Sequence, residues 1–371
     1  MTVKRIALVG LGAVAPVHLK AILNTKELEL AALCDMDEAK LLAFQKMLPE
    51  GVTPSCYQSL DALLEADLVD AYHLLLPHHE HEPAMKKLIL RNKRFLCEKP
   101  LCHSLSAAES LMQSVRSAQS TGGCFALPRT ENGNGDEAVT DSIKLPQFGL
   151  CLQNRYNPSV REAKRLILSG ELGALLHVTA EVLWMRPRSY FEAAPWRGLW
   201  AQAGGGCMIN QAIHTIDLLT YLMGPIKQLR GKILNLLDLG IEVEDSAMAR
   251  FTYENGATGY FQASLANSDN ESVRISMRFE KGELRLNDYQ LLWIEGEKMQ
   301  VLARDTKLQG DKTYYGASHE TLIRRFYALD QDSHFEGEKL VPELEDGLPA
   351  LRFIEAVYRS SREGRAILLE E

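Results

Sequence analysis

The chain has 371 residues, 46 % of them hydrophobic and 24 % charged, a globular balance that excludes a disordered, collagen-like or disulfide-stapled miniature protein. At ~150 residues per domain that length predicts two domains. With 41 basic against 49 acidic residues the formal charge is -8, so no general attraction draws the chain to nucleic acid or to an anionic bilayer.

Seven cysteines (Cys34, Cys56, Cys97, Cys102, Cys124, Cys151 and Cys207) form an odd set without metal-binding spacing. They are expected to be free thiols in a reducing compartment, with no metal site. Lys4-Arg5 precedes an apolar run like that of a secretory leader, but Gly10 and Gly12 fall where a strand would turn into a helix. No segment reaches the ~18 to 20 apolar residues that span a bilayer. The expected location is the cytoplasm.

In chain order, 5–9, 29–34, 69–76 and 93–97 are continuous Val/Ile/Leu-rich runs, with a short one at 52–57. Continuous rather than alternating hydrophobicity predicts strands covered on both faces, hence a parallel sheet in β-α repeats. Helices are predicted at about 14–24, 37–47, 81–91 and 106–118, the last starting at a capping box of Ser106 and Glu109. Residues 1–122 therefore read as a Rossmann dinucleotide-binding domain of α/β class.

The polar, glycine-containing stretch 130–147 is expected to be a loop insertion near the start of a second domain, 123–371. A strand is expected to end at Arg155, followed by a helix capped by Asn157, with Pro158 in its first turn, running to about Ser169. Stretches 174–184, 227–236, 244–253, 257–265, 271–279 and 282–293 read as strands separated by glycine turns, which predicts a largely antiparallel α+β sheet with helices on one face. A long helix is predicted at about 205–223, and two more at about 318–329 and 345–363. The broad strands at 244–293 need burial elsewhere, so a homodimer or homotetramer is expected.

Gly10-x-Gly12-x-x-Ala15 lies where the first strand meets the first helix. Its glycines suit a tight turn and close backbone approach, and the amides at Ala13, Val14 and Ala15 would receive a pyrophosphate. Asp35 ends the next strand, where a carboxylate accepts from a ribose 2'-hydroxyl and repels a 2'-phosphate. NAD is therefore favoured over NADP. Asp35 also has the alternative reading of a helix cap.

Glu98-Lys99-Pro100 follows the strand 93–97 at the carboxyl end of the sheet. The proline biases Lys99 to an extended backbone, aiming its ammonium where it would stabilise an alkoxide or help move a proton. On the predicted 205–223 helix, Asn210, His214 and Asp217 fall at i, i+4 and i+7, a polar stripe with His214 as proton acceptor. The aromatic and cationic run from Trp184 through Arg186, Tyr190 and Trp196 reads as a sugar-contacting wall or as a loop pinned by tryptophans.

These residues, in this order, resemble the Gfo/Idh/MocA oxidoreductases. The resemblance rests on the Gly10 turn, Pro77 with His81, Glu98-Lys99-Pro100, Arg155-Tyr156-Asn157-Pro158, the triple glycine leading to His214 and Asp217, Glu244-Asp245, and His319. It implies a two-domain NAD(P) enzyme acting on hydroxyls of sugars, inositols or other polyols. Lys99 and His214 would be catalytic, Pro77, His81, Glu98 and Lys99 would lie beside the cofactor, and Asn210, Asp217, Arg155, Arg186, Tyr190 and Trp196 beside the substrate. Inositol dehydrogenase-like members carry an aspartate where this chain has Asn210, which cannot take a proton. The alternatives are a redox-neutral, glycosidase-like elimination through transient oxidation, or a nucleotide-binding regulatory protein.

Overall fold

A computed structural model describes residues 3–120, 147–306, 318–329 and 339–369. The first half alternates β1 (Lys4–Val9), α1 (Ala15–Leu23), β2 (Leu28–Cys34), α2 (Glu38–Gln45), β3 (Ser55–Tyr57), α3 (Leu60–Ala66), β4 (Ala71–Leu74), α4 (His78–Leu90), β5 (Arg94–Cys97) and α5 (Leu105–Ser120). β6 (Phe148–Leu150) then completes a six-stranded, all-parallel sheet in the order β3-β2-β1-β4-β5-β6. The continuous apolar runs are explained by burial on both faces. Along β1, Ile6 and Leu8 pack with Leu19 and Ile22 of α1, while Ala7 and Val9 pack with Met85 and Leu88 of α4 and Leu111 of α5.

Two details depart from expectation. The cap of α5 is Ser104, whose Oγ accepts from Ala107 N at 3.2 Å, so the helix starts two residues earlier than a Ser106 cap with Glu109 requires. The sixth strand comes from beyond residue 123, and the 3-10 turn Gln153–Tyr156 replaces the strand expected to reach Arg155. Asn157 stands at the start of α6 (Pro158–Ser169), but its side chain accepts from Ser318 Oγ instead of capping that helix. The 122–123 boundary, Cys124 and the 130–147 stretch except Gln147 lie outside the described residues.

The second half comprises β7 (Leu175–Leu183), α7 (Arg188–Glu192), α8 (Trp200–Ala203), α9 (Cys207–Asn210), α10 (Ile213–Met223), β8 (Ile226–Leu234), β9 (Ser246–Tyr253), β10 (Thr258–Ser264), β11 (Arg274–Phe279), β12 (Glu283–Asn287), β13 (Gln290–Glu295), β14 (Lys298–Arg304), α11 (Ser318–Phe326), α12 (Leu348–Glu363) and β15 (Ile367–Leu368). Nine strands form one sheet, β14-β13-β12-β11-β7-β10-β9-β8-β15, antiparallel except for the parallel pair β7-β10. The expected strand 282–293 is two strands. They are joined at Asp288-Tyr289, both at positive φ (47° and 59°), the backbone of a tight hairpin turn that carries no glycine to advertise it.

Helices cover one face of this sheet, where Phe353 of α12 meets Phe251 and Phe261 edge-on. The other face is open, with Leu176, Met248 and Tyr260 about half exposed. α11 returns to the first domain, placing Leu322, Ile323 and Phe326 against α1. Among the described residues no helix is long and apolar enough to cross a membrane.

Candidate active site

In the order β3-β2-β1-β4-β5-β6, the chain direction of the strand connections reverses between β1 and β4, and open α/β sheets bind ligands at the carboxyl ends beside such a reversal. Gly10 leaves β1 there with φ +92°, and a Cβ would come within 2.6 Å of Leu75 O, so the position demands glycine. Gly12 has open space around it, and α1 begins at the buried Ala15 without a side chain capping its first turn. The turn thus leaves room for an anion at a helix start.

Asp35 locks that turn. Its Oδ2 accepts from Leu11 N (2.8 Å) and its Oδ1 from Asp37 N (3.0 Å), while Asp37 itself caps α2 by accepting from Ala39 N. The helix-cap role weighed for Asp35 therefore belongs to its neighbour. The nearest cation to Asp35 is Lys40, at 4.0 Å. The residues present fit a nicotinamide dinucleotide with a free ribose 2'-hydroxyl.

At the end of β5, buried Glu98 anchors a chain of imidazoles. His18 Nε2 and His319 Nε2 donate to Glu98 Oε1 (3.1 and 3.2 Å), His18 Nδ1 meets His73 Nδ1 (2.9 Å), and His73 Nε2 meets Tyr327 Oη (2.9 Å). Burial alone would push Glu98 up, but the imidazole donors hold its pKa well below the usual carboxylate range. Burial keeps His18 and His73 neutral by lowering theirs. These states fix every proton. An ionised carboxylate only accepts, so His18 carries its proton on Nε2, His73 on Nδ1, and Tyr327 donates to His73.

His18, Glu98 and His319 also bring three ligand-type atoms within 4.8 Å of one another. The same three atoms are the ones joined by the hydrogen bonds of the imidazole chain. His81 lies between Pro100 O (2.7 Å) and Leu76 O (2.9 Å), tying α4 to the turns after β4 and β5. Pro77 stands at the start of the same helix.

Lys99 projects to the second domain, where its Nζ donates to Asn210 O at 2.9 Å. This contact belongs to a break in the predicted 205–223 helix. Cys207 O accepts from both Gln211 N and Ala212 N, closing α9 after one turn. Asn210 O, which would take the residue-214 amide in an unbroken helix, instead receives the ammonium. Asn210 and His214 consequently belong to different helices, and no single stripe runs from Asn210 to Asp217.

The triple glycine lets the backbone leading into α9 pack closely against its neighbours. A Cβ on Gly204 would fall 1.5 Å from His103 O, one on Gly205 1.9 Å from Tyr358 Oη, and one on Gly206 1.8 Å from Glu244 O. Glu244 holds α9 by accepting from Gly206 N (2.8 Å) and Met208 N (3.1 Å), with Tyr358 Oη donating to the same carboxyl group. Burial raises the Glu244 pKa to about 7.

Burial, then the Lys99 charge, holds the His214 pKa well below its usual value, leaving a neutral imidazole able to accept a proton. Burial likewise lowers Lys99, with Glu98 opposing and Arg197 adding to the shift. Gln153 Nε2 lies 3.1 Å from His214 Nε2, while Gln153 Oε1 and His214 Nδ1 have no hydrogen-bond partner among the described residues. Sequence reasoning missed Gln153, since nothing local separates it from any other turn residue.

Arg155 and Asp217, both expected at the substrate, bind each other. Arg155 Nε and Nη2 donate to the two Asp217 oxygens at 2.9 and 2.6 Å, and Nη1 reaches Asp346 at 3.3 Å. Arg155 is held charged by this pair against the cost of burial. This pairing ties the 153–156 turn, and with it Gln153, to α10.

The aromatic wall stands opposite Lys99. Tyr190 Oη accepts from Asn210 Nδ2 (3.3 Å) and Gln211 Nε2 (3.2 Å), and Trp196 packs edge-on against His78. Arg186 stacks between Trp184 and Tyr190 and donates to Asn270 Oδ1 and Met185 O. Arg197, which the sequence reading did not single out, lies 4.4 Å above the Tyr190 ring.

Known proteins resemble this chain in sequence and in fold. The chain aligns over 97 % of its length with D-xylose 1-dehydrogenase (NADP(+)) 2 of Haloferax volcanii, at 22 % identity and covering 99 % of that protein. It aligns over 99 % with myo-inositol 2-dehydrogenase of Thermotoga maritima, at 23 % identity and covering 99 % of it. Its fold matches the WlbA dehydrogenase of Bordetella pertussis, solved with NADH and UDP-GlcNAcA, with a TM-score of 0.78 over 100 % of both chains at 24 % identity. Residues 4–123 match the oxidoreductase family with an NAD-binding Rossmann fold, and residues 160–285 match the GFO/IDH/MocA C-terminal domain. Since the two matched regions together cover well over half of its length, the chain belongs to the GFO/IDH/MocA family of NAD-binding oxidoreductases.

Proposed function

We propose that this enzyme transfers a hydride between a nicotinamide dinucleotide, NAD in preference to NADP, and a hydroxyl-bearing carbon of a sugar or polyol. The observation that carries the reading is the convergence of Lys99 and His214 from two domains. The ammonium sits on the carbonyl of Asn210, four residues before His214, and its charge helps keep that imidazole neutral. The names of the xylose and inositol relatives support the substrate class.

A bound nicotinamide supplies the hydride chemistry. Lys99 holds the reacting oxygen and stabilises its growing negative charge, and His214 takes the hydroxyl proton in oxidation and returns it in reduction. Asn210 carries no charge, so it orients substrate through its amide instead of sharing the proton. Asp35 favours NAD because its carboxylate faces no cation closer than Lys40 that would neutralise a 2'-phosphate.

Two further proposals concern the setting. The open sheet face, with a groove of about 580 Å³ lined by Met248, Arg250, Tyr260 and Gln262 among others, supports self-association through that face. The six described cysteines are all free thiols, which supports a reducing, cytoplasmic location.

The test is a panel of sugars and polyols assayed by net NADH formation, repeated with NADP+. On a substrate so found, K99M and H214Q are expected to lower kcat by about 10²- to 10⁴-fold with NAD+ affinity unchanged. Wild-type turnover in both variants would refute the assigned roles.

A further inference from the structure

Arg197 sits in the 3-10 turn Pro195–Gly198 with one N–H donated to Tyr190 O at 3.1 Å and its guanidinium over the Tyr190 and Trp196 rings, at 4.4 and 5.8 Å. Among the described residues it has no carboxylate within ion-pair distance. Arginines elsewhere on the surface do, as in Arg165–Glu162, Arg274–Glu181 and Arg285–Glu283. A guanidinium has five donors, so among the described residues most of its hydrogen-bonding capacity remains unused and only aromatic faces meet its charge.

Its place in the fold gives this meaning. The Tyr190 ring carries Arg197 on its face and the side chains of Asn210 and Gln211 on its hydroxyl, and Asn210 O receives Lys99. Arg197 therefore belongs to the same wall as the catalytic lysine, near enough that its charge also bears on His78. The nearby anion, Glu98, is buried and already engaged by His18 and His319. Lys99 and Arg197 put two cations on one wall, close enough for the charge of one to lower the pKa of the other, and among the described residues neither has a carboxylate within ion-pair distance, an arrangement that suits a negatively charged ligand.

Resting on the hydride-transfer reading above, we propose that the substrate is an acidic sugar, bearing a carboxylate or phosphate that Arg197 binds while Lys99 holds the reacting hydroxyl. The planar fork of the guanidinium matches two oxygens of such a group, and stacking on Tyr190 holds it in one orientation. Arg197 is thus a specificity determinant, separate from proton transfer.

The experiment compares matched ligands: D-glucuronate and D-galacturonate for the carboxylate, glucose 6-phosphate for the phosphate, and glucose and galactose as neutral partners. Each is titrated into the enzyme–NADH complex, read by NADH fluorescence, and assayed for NAD+ reduction. At least one anion is expected to bind about 30-fold or more tightly than its neutral partner, weakening as ionic strength rises. R197Q should erase that preference, and R197K should restore part of it. The preferred arm identifies carboxylate or phosphate. Equal binding of anionic and neutral members, or an R197Q loss that falls equally on both, would overturn the proposal and leave Arg197 a support for Tyr190. Failure to bind NADH at all would instead strike the hydride-transfer reading.

Discussion

Asp217→Asn separates two readings of the same residue. In the structure Asp217 is almost fully buried and meets Arg155 through two parallel hydrogen bonds of 2.9 and 2.6 Å. Removing one partner of a buried pair leaves a desolvated charge and costs about 3–5 kcal/mol. Here Asp346, 3.3 Å from Arg155, retains part of the compensation, so the low end, about 3 kcal/mol, is expected. For a chain of this size that corresponds to a fall in Tm of about 4 °C. Thermal melts of wild type and D217N, with NAD+ titrations of both, form the assay. The stability loss should appear with cofactor affinity unchanged. An unaltered Tm together with lost turnover would show that Asp217 contacts substrate and that the ion pair is dispensable.

Asp35→Ser should weaken NAD+ binding by about tenfold, as expected for losing one hydrogen bond to a charged group, and narrow the preference over NADP+ by removing the repulsion. An unchanged ratio of the two affinities would show that Asp35 serves only Leu11 and Asp37. Glu244 carries a pH prediction. Its folded pKa of about 7 lies above the ordinary carboxylate value, so the folded state binds the proton more tightly. The stabilisation is fully present below the ordinary value and is lost as pH rises through about 7. Between about pH 5 and 8 the Tm of wild type should therefore fall relative to E244Q, and parallel pH profiles would contradict the assignment.

Features that one short stretch of backbone dictates were legible before the fold. Gly10 needs a positive φ beside Leu75, Asp35 ends a buried strand, and Lys99 follows β5 directly, so the dinucleotide turn and the lysine could be placed from local chemistry. The Asp288-Tyr289 hairpin was invisible because its turn carries no glycine, and β14 was overlooked along an exposed edge of the sheet. The 205–223 segment misled because its apolar period is helical on both sides of the break. What divides it is Lys99, 111 residues away, taking the Asn210 carbonyl.

The sequence by itself determined the parallel nucleotide domain, its cofactor turn and the presence of a lysine and a histidine suited to proton transfer. These follow from backbone conformation and side-chain chemistry within a few residues. Only the tertiary structure decided that Arg155 and Asp217 pair with each other, that Gln153 faces His214, and that Arg197 comes near Lys99 with no carboxylate partner among the described residues. Each depends on which distant groups burial brings together, because a buried charge or amide takes the nearest partner in space, wherever that partner lies in the chain.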